Sequence, residues 1–183
     1  MKISLLKSVA FLLFATAFTS CSTESAVDLT NDTAAQASEK LNRSSLWEGE
    51  IGIENNGNYE ITADKNILLA DLQIIADKEN VTLETLEIVK KQAINDPNDT
   101  SFMLIATNNG QGYSVGVQLK NQSGIFRLDS GFQQHFPAPV AVSCQGCASG
   151  CNLQYLYIEG KRVPICNENG CIADCKKTET EIN

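Results

Sequence analysis

Cysteine is absent from Ser22 to Ser143 and then occurs six times in 32 residues, at Cys144, Cys147, Cys151, Cys166, Cys171 and Cys175. The spacing is C-x2-C-x3-C, fourteen residues, then C-x4-C-x3-C. The two triplets are alike, Gly146-Cys147-x3-Cys151 against Gly170-Cys171-x3-Cys175. Between them Leu153 to Ile165 reads LQYLYIEGKRVPI, two short apolar runs around Glu159-Gly160-Lys161-Arg162. This pattern predicts a β-hairpin with a cysteine triplet at each foot. A stretch this short has little core of its own, so crosslinks must supply what burial does not. Each disulfide stabilises by about 2–4 kcal/mol, less where the closed loop is short. Three disulfides are therefore expected among these six residues, and the spacing leaves their pairing open.

The seventh cysteine, Cys21, has a separate account. Lys2 and Lys7 precede an apolar run, Val9 to Phe18, too short to span a bilayer comfortably. A basic start, a short apolar stretch and small residues make a secretory signal over 1–20. Phe18-Thr19-Ser20-Cys21 resembles a bacterial lipobox, with Phe18 where an aliphatic residue is usual. Lipid on Cys21 would remove it from the thiol count and leave six to pair. Export also places the chain where disulfides persist. Both observations point to a chain cut before Cys21 and anchored by acyl chains. Two or three such chains hold stably where one does not.

Net charge is −8, and the signal holds Lys2 and Lys7 but no acid, so its removal takes the remaining 163 residues to −10. An acidic chain without a basic cluster is ill suited to nucleic acid, which needs Lys and Arg against phosphate. It also gains nothing from anionic headgroups. Membrane attachment would then rest on lipid at Cys21. Residues 21–45 are Ser, Thr, Ala, Asn and charge, which suits a lipidated flexible tether.

The folded part is expected from 46. EIGIE over Glu50 to Glu54, then Tyr59 and Ile61 across the turn Asn55-Asn56-Gly57-Asn58, predict a hairpin. Thr62 is placed to cap a helix to about Glu79, with Ile67, Leu68, Leu72, Ile75 and Ala76 on its apolar face and Asp71 outside it. Residues 83–94 fit helix or strand, and the β context favours strand. Glu84, Glu87, Lys90 and Lys91 on it look like a solvated face. Ser101 to Thr107, Tyr113 to Lys120 and Ile125 to Leu128 continue as strands between polar turns. The expected fold is α+β: one amphipathic helix packed on an antiparallel β meander, followed by a small cysteine-rich hairpin module. Its segments would be an α+β domain over 46–140, the cysteine module over 141–177 and a polar tail over 178–183.

A metal reading competes. Cys144, Cys147, Cys166 and Cys171 resemble a zinc ribbon of four thiolates about a hairpin. The ideal ribbon has C-x2-C on both sides, and here two cysteines are left over. The iron–sulfur spacing C-x2-C-x2-C-x3-C-P is not met. Cys144-Gln-Gly-Cys147 is a C-x-x-C without the βαβ context of a thioredoxin site. No cofactor is otherwise implied.

No active-site motif is present: no G-x-S-x-G, P-loop, H-E-x-x-H or Rossmann glycine run. The lone His135, in GFQQHFPAP, suits a structural role better than a catalytic one. The chain is thus expected to be non-enzymatic.

The lipobox-like start, the polar tether, ITADKNILLADLQ, LETLEIVKK and the C-terminal CQGCASGCN…VPICNENGC together resemble small predicted lipoproteins of flavobacteria and other Bacteroidetes. The resemblance implies a cell-envelope setting and no activity. Two function classes follow. One is an anchored module that binds a protein or glycan through the hairpin, with Tyr155, Tyr157, Lys161 and Arg162 as the residues to test, because aromatic and Arg side chains make most hot spots. The tyrosines would be unavailable if they packed on the meander. The other class is a redox or zinc-handling protein using the same cysteines.

Overall fold

The computed structural model describes residues 46–129, 140–147, 151–168, 170–171 and 175–182. Three two-residue turns set its frame. Asn56-Gly57, Ser123-Gly124 and Glu159-Gly160 each hold both residues at φ between 50° and 88°. That is the type I′ geometry, whose twist matches the flanking strands. The turns join β1 (Gly52–Asn55) to β2 (Asn58–Ile61), β5 (Tyr113–Gln122) to β6 (Ile125–Leu128), and β8 (Asn152–Ile158) to β9 (Lys161–Asn167).

The ambiguous segment at 83–94 is a strand, β3 (Thr85–Gln92), paired antiparallel along its length with β4 (Thr100–Asn108). β5 is the trunk of the main sheet. One edge carries β4, and the other carries two strands end to end. Of these, β7 (Val140–Gln145) lies against Tyr113 to Gly116 and β6 against Leu119 to Gln122. β1 and β2 extend the sheet beyond β6, and β10 (Lys176–Glu181) extends it beyond β7. All pairings are antiparallel. The fold is α+β and mostly antiparallel sheet.

Among the described residues, helix α1 (Lys65–Asp77) crosses one face of the sheet against β5 and β7, and residues 46–48 are also helical. The cap is Asp64, not Thr62. Its carboxylate accepts from the backbone N–H of Asn66 and Ile67 at 3.0 and 3.3 Å. Thr62 instead follows directly on β2, its N–H donating to the Ile51 carbonyl and its hydroxyl to Glu50. At the far end Asn80 takes φ 57°, and the Val81 N–H returns to the Ala76 carbonyl, closing the helix before Glu79. Asp71, expected outside the apolar face, is buried at 5% exposure. It accepts a hydrogen bond from the Trp47 indole at 2.8 Å.

Strand alternation divides the interior in two. Leu86, Ile88, Leu104, Ala106, Val115, Val117 and Phe126 meet α1 in a first core. Met103, Ile105, Val142 and Cys144 face the opposite way and meet Leu153 and Tyr155 of the β8–β9 hairpin in a second. Gly116 permits that approach, since a Cβ there would lie 3.1 Å from Leu153 Cδ2 and 2.6 Å from the Leu104 carbonyl oxygen. The molecule is therefore layered as helix, sheet, hairpin.

Two sequence boundaries need correction. The cysteine segment is not appended to a finished domain, because β7 and β10 at its two ends are strands of the main sheet. Nor is the segment from 178 to 181 a tail, since β10 pairs with all of β7, from Lys176↔Gln145 to Glu181↔Val140. β10 reads KKTETE and has no apolar signature. Charged side chains suit the outermost strand of a sheet, where pairing supplies the order that burial does not. Ile182, just beyond it, tucks into the first core.

Candidate functional site

The hairpin is fastened over the sheet by three disulfides, Cys144–Cys166, Cys147–Cys171 and Cys151–Cys175, with Cα–Cα separations of 5.5, 5.8 and 5.5 Å. The pairing runs first to fourth, second to fifth and third to sixth. Topology dictates this order. Cys144 sits on β7 and Cys166 on β9, so their bridge ties sheet to hairpin. The other four lie where the chain leaves β7, enters β8, leaves β9 and enters β10. Gly146 has no side chain where one would collide. A Cβ there would overlap Cys151 Sγ and sit 3.4 Å from Cys175 Sγ.

At its other end the hairpin is held by the β3–β4 connection. The Arg162 guanidinium donates from Nε and Nη2 to the two carboxylate oxygens of Asp99, both at 2.9 Å, and from Nη2 to the Thr100 carbonyl at 3.3 Å. These hydrogen bonds, above all, hold the Asp99 carboxyl below its ordinary range. The Tyr155 hydroxyl donates to the Asp99 carbonyl at 3.0 Å, and its pKa is pushed up to about 12, first by burial and then by Asp99. Asn95 imitates a strand partner, its side chain accepting from the Tyr157 N–H and donating to the Tyr157 carbonyl, each at 2.8 Å.

The residues expected to form a recognition surface are thus mostly engaged elsewhere. Tyr155 is fully buried in the second core, Tyr157 packs against it, and Arg162 is committed to Asp99. Lys161, at the hairpin turn, remains exposed. Strand alternation turns 153, 155 and 157 towards the sheet, which buries Tyr155, while Arg162 is ion-paired with Asp99 and partly exposed.

What the hairpin leaves open is more informative. It covers the second face incompletely, and a cleft of about 240 Å³ remains between β8 and strands β3 to β5. Its floor is Val89, Ile105 and Leu153. Its walls are polar: Thr85, Glu87 and Lys91 from β3, Thr107 from β4, Asn109 from the turn, Ser114 from β5 and Asn152 from β8. The Thr85 and Thr107 hydroxyls are hydrogen-bonded at 2.7 Å. Burial lowers the Lys91 pKa, and the charge of Glu87 opposes that shift. Glu84, Glu87 and Lys90 are exposed, as expected of a solvated surface, but the four residues do not share one face. The two-residue period of a strand sends Glu87 and Lys91 to the cleft side. It sends Lys90 the other way, with its ammonium 6.0 Å from the Phe102 ring centroid.

The four cysteines of the zinc reading, Cys144, Cys147, Cys166 and Cys171, are divided between two disulfides, and a disulfide sulfur is not a thiolate ligand. The sulfurs that do converge are those of Cys151, Cys171 and Cys175, all within 4.8 Å of one another. Cys21 and His135 lie outside the described residues. No described helix is long and apolar enough to cross a membrane. No family model, curated protein or solved structure matches the chain.

Proposed function

We propose that this chain is an exported, lipid-anchored binding module that takes a small polar ligand, a sugar unit of a glycan, in the cleft between β3 and β8. The observation that carries the reading is the cleft itself. Its hydroxyl, amide and mixed-charge walls converge over a small apolar floor, and one wall is a hairpin fixed by disulfides. Preorganised walls lose little conformational freedom when a ligand enters. The volume lies below the roughly 300–1,000 Å³ of drug-sized pockets, which suits a single ring. The signal at 1–20, lipid at Cys21 and the polar tether at 21–45 would present this cleft away from a membrane.

Two measurements test the proposal. The first is an NMR titration of the folded chain with glucose, N-acetylglucosamine and glucuronate. Saturable shifts should cluster at Thr85, Lys91, Thr107 and Asn152 and should be lost in Lys91→Met. Scattered or absent shifts across all three sugars would overturn the ligand assignment. The second is metabolic labelling with an alkyne fatty acid, which should mark the wild-type chain and not Cys21→Ser. An unmarked wild type would overturn the anchor.

A further inference from the structure

The three convergent sulfurs belong to two different disulfides. Cys151 Sγ lies 3.8 Å from Cys171 Sγ, although Cys151 is bonded to Cys175 and Cys171 to Cys147. Cys147 is outside the convergent group. The contact is therefore directional, since only one sulfur of the second bridge faces the third.

Exposure adds a second asymmetry. Cys151 is buried at 2% exposure, whereas Cys147, Cys171 and Cys175 are half-exposed. Of the four cysteines, Cys151 is therefore the least open to a reductant in solution. Cys171 also has a feature suited to a nucleophile: the backbone N–H of Cys147 donates to its sulfur at 3.2 Å. A donor so placed stabilises the thiolate, the attacking form in exchange.

We propose that the second and third disulfides form an internal exchange relay, with Cys171 as the nucleophile that attacks the buried sulfur of Cys151 and so passes reduction from the second bridge to Cys175. The co-reactant is a dithiol. One of its thiolates attacks Cys147 Sγ, forms a mixed disulfide and expels the Cys171 thiolate. That thiolate attacks Cys151 Sγ, forms a Cys151–Cys171 bond and expels Cys175 as a thiolate. The second thiol of the reductant then displaces Cys147 from the mixed disulfide and leaves as the oxidised dithiol. Two electrons and two protons pass from the dithiol to the protein, which ends with thiols at Cys147 and Cys175. Gly146 leaves room for the sulfurs to meet. The first bridge, Cys144–Cys166, lies outside the convergent group and keeps the hairpin on the sheet throughout. The relay is a second activity, independent of the cleft.

The test is disulfide mapping after acid quench and alkylation. In Cys147→Ser the new thiol starts on Cys171, and the relay places it on Cys175 with Cys151 bonded to Cys171. A thiol retained on Cys171, with Cys151–Cys175 intact, overturns the proposal. The wild-type chain given limiting dithiothreitol supplies a measurement that needs no variant. Its two-thiol species should carry thiols at Cys147 and Cys175. Thiols at Cys147 and Cys171 would overturn the relay. In Cys171→Ser the relay step is removed and only direct attack remains, so Cys151–Cys175 should be lost more slowly under the same treatment, and equal loss in both chains would sink the directional contact.

Discussion

The two faces of the sheet are closed by different means. Among the described residues, the helix face buries nineteen apolar side chains in one cluster and contains no crosslink, while the hairpin face buries seven and is tied by Cys144–Cys166. Where enough apolar surface leaves water, burial alone holds an element in place. A sixteen-residue hairpin with two fully buried anchors, Leu153 and Tyr155, removes too little surface for that. Covalent bonds and the Arg162–Asp99 clamp complete the attachment. The polar cleft survives on the face where packing is thinnest, so the site is a product of incomplete coverage.

This contrast can be broken by experiment. The largest effect is expected from Leu72→Ala, at a fully buried position of the first core. It should cost about 2–5 kcal/mol in denaturant unfolding and accelerate amide exchange on both faces. Next comes removal of the first bridge with Cys144→Ala and Cys166→Ala together, at about 3 kcal/mol. Exchange should then rise first in β8 and β9 while α1 keeps its protection. Equal loss in α1 would mean that the faces are one cooperative unit. Gly146→Ala should follow at about 1–3 kcal/mol from overpacking against Cys151, with the change confined to the cysteine end of the hairpin. Smallest is the clamp. Asp99 has a lowered pKa, so its contribution is present above the unfolded value of about 3.9 and disappears as pH falls through the folded one. The stability difference between wild type and Asp99→Asn should stay within about 1 kcal/mol and close below that pH.

Much of the frame was legible in the sequence because it is local. Each of the three two-residue hairpin turns carries a glycine as its second residue, strand 113–120 announces itself by alternation, and 101–107 does so as an apolar run of strand length bounded by turns. Other features depend on partners far along the chain. β10 contains only Lys, Thr and Glu, and nothing in KKTETE predicts a strand until β7 is beside it. Asp71 looks exposed on a helical wheel until Trp47 is placed against it. Glu87 and Lys91 needed the strand assignment of 85–92 before their shared face could be named. The disulfide order needed the return of β10 to the sheet, which brings each cysteine of the second triplet to its counterpart in the first. The six cysteines themselves were evident, and their role in fixing the hairpin follows from that placement.

The overlap of the three bridges has a consequence for how the chain can be cut. Every disulfide joins a residue ahead of β8 to one past the Glu159-Gly160 turn. That turn is exposed and is the natural place for a protease to enter. A single cleavage there would release nothing. The two pieces would stay joined through sulfur in three places, with β10 still seated on β7. The protein would continue as a two-chain molecule with its cleft wall in position.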